Sequence, residues 1–144
     1  MSKNIEGVLR VDSPSGDWLP IVLDSPHSGT VFPASFKAYA PLEMLRVGED
    51  CFCDELFPGT THGAVMIAAL FPRTFIDPNR ALADLDTGAI DGDWPHPVSP
   101  SNKSEIGTGL IWTKCIDGSP IYDWALSIAD VCDRIDNYWR PYRS

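Results

Sequence analysis

Short continuous apolar runs alternate along this chain with stretches whose apolar residues recur at helical spacing. The first strong run, Ile21-Val22-Leu23, stops in the polar turn Asp24-Ser25-Pro26-His27-Ser28-Gly29. Branched aliphatic side chains favour a strand, and Asp, Ser, Pro and Gly favour a turn. The pattern predicts a buried strand over 20–24 that delivers His27 to the C-terminal edge of a sheet, where open α/β folds place their chemistry. Residues 63–70 predict a second strand at 64–69. Arg73-Thr74-Phe75-Ile76, set off by Pro72, predicts a third at 73–76, and Gly107-Thr108-Gly109-Leu110-Ile111-Trp112 a fourth at 108–112. Residues 8–11 suit a short edge strand.

Helical spacing appears twice. Residues 41–57 read as a helix broken at Gly48, with Pro41 in its first turn and Glu49 and Asp50 opening the second piece. Carboxylates there are stabilised by the positive end of the helix, which explains them without any site. Near the end, Ser119-Pro120 resembles a cap followed by a first-turn proline. Ile121, Trp124, Ala125, Ile128, Cys132, Ile135 and Trp139 then recur at steps of three and four, predicting a helix over 120–139 that Pro141 ends. Between these elements, residues 83–105 form a long acidic loop in which Asp84, Asp86, Asp91 and Asp93 are interleaved with glycines and prolines. A loop of that length is expected to be functional or flexible. It lacks the ligand order of a calcium loop. Strands interleaved with helices predict a single α/β domain over 1–144, with a mainly parallel mixed sheet flanked by helices.

Composition narrows the partners. A net charge of -9 argues against nucleic acid or an anionic membrane surface, but leaves room for a small anion met by one or two local arginines. No apolar stretch approaches a membrane span or a signal segment, so the expected location is cytoplasmic. The four cysteines (Cys51, Cys53, Cys115, Cys132) lack Cys-x-x-Cys spacing and suggest no disulfide framework.

Two segments carry candidate chemistry. His27 stands at the end of the first strand. Asp77-Pro78-Asn79-Arg80 follows another apolar run and offers a neutral amide beside a rigid cationic fork, a pair suited to gripping a carboxylate. Asp77 is placed to orient Arg80 or another group from behind. A turn carrying an Asp–Arg ion pair explains the same residues equally well. Arg73, at the start of that segment, is expected on the opposite rim or sheet face. A lone Gly-x-Gly at 107–109 is weak evidence of phosphate binding. His62 precedes the second strand, at the rim opposite His27. His96 lies between prolines in the long loop and would reach the site only at an ordering cost.

Taken together, Ser25-Pro26-His27-Ser28-Gly29, Asp50 with Asp54-Glu55-Leu56-Phe57, the run from Arg73 through Ile76-Asp77-Pro78-Asn79-Arg80, Gly107-x-Gly109-Leu110-Ile111 and Arg140-Pro141-Tyr142 resemble the N-formylglutamate amidohydrolase (deformylase) family. The resemblance implies a fold like the zinc-dependent carboxypeptidase-like (phosphorylase/hydrolase-like) enzymes. It implies zinc held by His27 and Asp50, with Glu49 the alternative and Asp54 behind them. It also implies a substrate site formed by Asn79, Arg80, Asp77 and Gly109, and as partner a small N-acyl amino acid or dicarboxylate. Family members continue past the closing helix to an Asp-x-His-Ser type motif that supplies a further histidine ligand, and Arg143 stands where a histidine is usual after Pro-Tyr. No catalytic acid or base is identified in this chain. Two ligands predict weak zinc binding and little turnover for residues 1–144 alone. The expectation is therefore an amidohydrolase whose site this chain supplies in part. The alternative is a catalytically silent carboxylate-binding domain, and self-association through exposed apolar surface is the third reading.

Overall fold

Strand β3 (Val65–Ala69) runs through the middle of a three-stranded sheet in the computed structural model, which describes residues 4–144. On one side β1 (Leu9–Asp12) pairs antiparallel, with Leu9 opposite Ala69; on the other β2 (Val22–Ser25) pairs parallel, with Ser25 opposite Ala68. The parallel pair needs a crossover, and the chain between its strands carries two short helices, α1 (Leu42–Arg46) and α2 (Cys53–Leu56). A second, two-stranded parallel ladder joins β4 (Ile90–Asp91) to β5 (Leu126–Ser127). The architecture is mixed α/β.

Several expected elements differ. The strand expected at 20–24 starts two residues later, at Val22, and is not buried: Val22 is 60% exposed, because β2 is the edge of its sheet and the described residues leave this face uncovered. The 73–76 segment is a turn, not a strand. The Phe75 amide bonds back to the Pro72 carbonyl, and β3 already has a neighbour on each side. Nor do residues 108–112 form a strand; only an isolated bridge joins Thr108 to Trp112. Their backbone groups serve loops instead: Leu110 accepts from the Asp77 amide and donates to Asp84.

The closing helix starts at Ile128 rather than 120. Its cap is Ser127, whose hydroxyl accepts from the Asp130 amide. Residues 120–121 are held extended, with Pro120 bridged to Lys114 and the Ile121 carbonyl accepting from Tyr39 and Ala40. Helix α4 (Ile128–Arg134) widens into a π-turn (Ile135–Trp139) and resumes as α5 (Arg140–Arg143), so Pro141 does not end it. A proline ring normally collides with the carbonyl four residues back, and the widened turn relieves that contact. Helix 41–57 is likewise two short pieces, and residues 83–105 are tied down rather than loose. The Asp84 carboxylate there accepts from the Ser101 amide and from the Ser101 and Ser104 hydroxyls, and α3 (Asn102–Glu105) follows directly. The Ser101 and Ser104 bonds and Arg80 hold the Asp84 pKa below its usual value, outweighing the upward push of burial.

The main core lies between β1–β3 and the closing helix, around Phe71, Phe75, Ile76, Leu110 and Val131. A smaller one gathers Leu45, Trp112, Cys115 and Ile121. Arg134 is fully buried between them and the aromatic rings. It donates to the Phe75 carbonyl at 2.9 Å, the Tyr122 hydroxyl at 2.7 Å and Asp130 at 2.6 Å, with its guanidinium 4.3 Å from the Phe75 ring centre. From the same helix, Trp139 donates to the Arg80 carbonyl and Tyr142 to Asp24. Burial and the Asp24 carboxylate both push the Tyr142 phenol well above its ordinary pKa. Together with the Arg134–Phe75 bond, these two fasten the helix to the two segments that carry the candidate chemistry.

Candidate functional site

Backbone geometry sets His27 before any side chain acts. Two residues after it, Gly29 lies so close to Leu70 and Phe71 that a Cβ would run into their carbonyl groups, and the Val31 amide bonds to the Leu70 carbonyl. Only glycine lets the turn close against the end of β3. The His27 carbonyl accepts from the Asp50 amide at 3.0 Å, which brings the Asp50 side chain beside the ring. Phe52 then takes a left-handed backbone, φ 60°, to start α2.

Both ring nitrogens meet carboxylates. His27 Nε2 lies 2.9 Å from Asp77 Oδ1, and Nδ1 lies 3.1 Å from Asp50 Oδ2. Asp77 is 0% exposed, whereas the Asp50 side chain is 52% exposed. A buried carboxylate must be satisfied by donors, while an exposed one can use water. The proton of a neutral ring therefore belongs on Nε2, facing Asp77, and the Nδ1 lone pair then faces Asp50. Two acceptors opposed at 3.1 Å require a cation between them, either a proton or a metal ion.

Asp77 is a hub. Besides His27 it accepts from the Asn79 amide at 2.9 Å and from Arg73 at 3.3 Å, with Arg80 4.0 Å away. Burial pushes its pKa up; the hydrogen bond and charge of His27, the Arg73 guanidinium and the Asn79 amide outweigh this and hold it below the usual aspartate value. Arg73 also reaches Asp50 at 3.5 Å and lies 5.0 Å over the Trp112 ring. The expectation that Arg73 points to the opposite rim is thus wrong. The turn at 73–76 folds Arg73 back beside Asp77, whereas a strand, although it would put both on one face, would have set them about 13 Å apart along its axis.

The remaining candidates fall differently. Arg80 bonds to the Thr108 and Asn79 carbonyls through Nε and Nη1, leaving Nη2 without a partner among the described residues. Asn79 is exposed beside it. Glu49 does not join His27. It pairs with Arg46 at 3.2 Å and lines a separate cavity of about 280 Å³ with Arg10, Asp54 and Cys51. Asp54 is not behind the site either, since Arg10 holds it at 2.9 Å. Gly109 packs against Asp84 and Ser104, where a Cβ would meet the Ser104 hydroxyl, so close packing explains that glycine. His62 is exposed in a 3₁₀ turn, Gly59–His62, and His96 stacks edge-on against Trp94 beside Cys132 and Asp136. All four cysteines are free, and among the described residues no helix is long and apolar enough to cross a membrane. Among them, too, no three His, Cys, Asp or Glu side chains converge as a metal site, because Asp50 and Asp77 approach opposite nitrogens of one ring.

Residues 19–144 match the sequence profile of the N-formylglutamate amidohydrolase family. The chain belongs to that family. Its backbone is similar to the crystal structure of N-formylglutamate amidohydrolase from Ralstonia eutropha JMP134, with a TM-score of 0.91 and 45% identity over 95% of this chain and 49% of that one. The chain thus spans about half the length of this solved N-formylglutamate amidohydrolase. No curated protein sequence matches it. In this member of the family, Arg73 and Trp112 are the residues that sequence reasoning missed. The available signal was Arg73 standing four residues before Asp77 between two prolines, a spacing that suits a turn.

Proposed function

We propose that this chain supplies the substrate-gripping rim and part of the metal site of a zinc-dependent amidohydrolase of the carboxypeptidase-like type. The reaction is hydrolysis of the amide of a small N-acyl amino acid, N-formylglutamate by family membership, to a carboxylate and the free amino acid. The observation that carries this reading is His27 held between buried Asp77 and exposed Asp50, with Arg73 and Arg80 alongside.

The residues fit two of the ligands a catalytic zinc uses. Asp77 fixes the ring through Nε2, in the way an outer carboxylate orients a metal-binding histidine, and the His27 Nδ1 lone pair and Asp50 would hold the ion. Bound there, zinc supplies Lewis-acid polarisation of the amide carbonyl and a more acidic water. The chain's own residues do the rest of what can be derived. Arg73 balances the charge of Asp50 and Asp77, and so keeps two carboxylates stable near one ring. Arg80 Nη2 and the Asn79 side-chain amide grip the substrate's α-carboxylate, a role that suits a guanidinium because it stays protonated. The second reading, a silent carboxylate-binding domain, draws support from the near-complete internal pairing of His27, Asp50, Asp77 and Arg73.

Zinc titration by calorimetry, run on wild-type protein and on His27→Ala together with an N-formylglutamate hydrolysis assay, separates the two. Weak zinc binding that disappears in the variant supports the amidohydrolase site. N-formylglutamate binding with no zinc uptake and no turnover leaves the silent domain.

A further inference from the structure

Beyond Arg80 lies a cleft of about 390 Å³ whose lining includes Arg73, Arg80, Lys103, Thr108, Trp112 and Cys115, and no carboxylate. In a chain of net charge -9 with 11 lysines and arginines, three cations on one cleft mark a local reversal of sign. The charges are not equivalent. Arg73 and Arg80 are neutralised by Asp77 and Asp50, while Lys103 forms no ion pair among the described residues. The surplus positive charge of the cleft is therefore Lys103.

Hydrogen-bond bookkeeping leads to the same place. Arg73 Nε and Trp112 Nε1 are buried and have no acceptor, and Arg80 Nη2 is unclaimed. Buried donors without acceptors are rare in folded proteins and call for an explanation. The side chains that carry them line one space together with a free ammonium, and that lining includes no carboxylate. An anion with several oxygens is what such a lining lacks.

The backbone under Lys103 is fixed even though its side chain is exposed. Its amide donates to the Ser101 hydroxyl at 3.1 Å, and its carbonyl accepts from the Thr108 amide at 2.7 Å and the Thr108 hydroxyl at 3.3 Å. Thr108 in turn accepts from Arg80 Nε at 3.4 Å. Lys103 and Arg80 are thus spaced through one shared residue.

Resting on the reading that Arg80 grips the α-carboxylate, we infer that this cleft receives the second carboxylate of the substrate and that Lys103 is the residue selecting an acidic over a neutral side chain. Calorimetric titration of the chain with N-formylglutamate and with its neutral isostere N-formylglutamine tests this, on wild type, Lys103→Met and Lys103→Arg. Wild type is expected to prefer the dicarboxylate by roughly fivefold to tenfold, the range of a partly exposed charge-assisted contact. In Lys103→Met the ratio should fall to near one, and Lys103→Arg should restore most of it. A preference that survives in Lys103→Met overturns the role of Lys103 alone. Failure of both ligands to bind wild type overturns the grip by Arg80 and this assignment with it.

Discussion

Two knots of charge lie on either side of the segment from Arg73 to Arg80, and they are built on opposite plans. On the core side, Arg134 is enclosed by the Phe75 carbonyl, the Tyr122 hydroxyl, Asp130 and aromatic faces. On the other side, His27, Asp50, Asp77 and Arg73 are also joined by short contacts, but Asp50 opens to solvent and an opposed lone pair and carboxylate ask for a cation. Burial of charge is common to both, so burial does not distinguish a site from a strut. The difference is unfinished business at the solvent edge. Arg134 presents almost nothing to a ligand, whereas the His27 rim keeps an unclaimed guanidinium nitrogen and a half-exposed carboxylate. The two knots also cooperate: by holding the Phe75 carbonyl, Arg134 fixes the turn that sets Arg73 against Asp77.

The sharpest way to break this comparison is Arg134→Ala. It leaves the Tyr122 hydroxyl without its buried partner and opens a void among rings, and should cost about 3–5 kcal/mol in urea denaturation. A loss below about 1 kcal/mol would mean that the sealed knot is not a strut. A smaller effect of a different kind is expected from Asp77→Asn, which keeps the shape of the side chain but weakens its hold on the ring. Zinc affinity should drop about 10- to 100-fold. If affinity is unchanged, Asp77 does not orient His27, and the rim is as inert as the core knot. The mildest contrast comes from acid. The folded pKa of Asp77 lies below the 3.8 of a free aspartate, so the stability it contributes is complete above that pH and is lost as pH falls through the folded value. Unfolding midpoints followed downward from pH 5 should therefore fall more steeply in wild type than in Asp77→Asn. Parallel curves would remove Asp77 from the acid response.

Parts of this arrangement were readable in the residues. The unbroken apolar run in 65–69 and the stop at Ser25-Pro26-His27 locate β3 and the His27 turn, because sequence pattern and tertiary pairing agree there. The family resemblance, rather than spacing, singled out Asp50, and the structure sets it 3.1 Å from His27, with Arg80 4.0 Å from Asp77. Elsewhere tertiary contacts overrode the local pattern. Ile121 and Trp124 match the helical period of the segment after Ile128, yet the place of Ile121 in the small core and its bonds to residues 39–40 keep that stretch out of the helix. The helix in fact starts after Ser127, whose hydroxyl caps the Asp130 amide, and not after Ser119-Pro120. Gly109 looked functional for want of knowing that Ser104 packs against it. Arg73 was assigned to the wrong side because a strand was assumed where two prolines favour a turn.

The bond from Tyr142 to Asp24 has a consequence in time. It joins positions 118 residues apart, and it anchors the strand that presents His27. Translation at about 5–20 residues per second leaves roughly 6–24 s between the emergence of one partner and that of the other. For that interval a nascent chain carries the His27 turn without its anchor. The anchor of the His27 turn therefore forms only after residue 142 has been made and docked, not during early collapse.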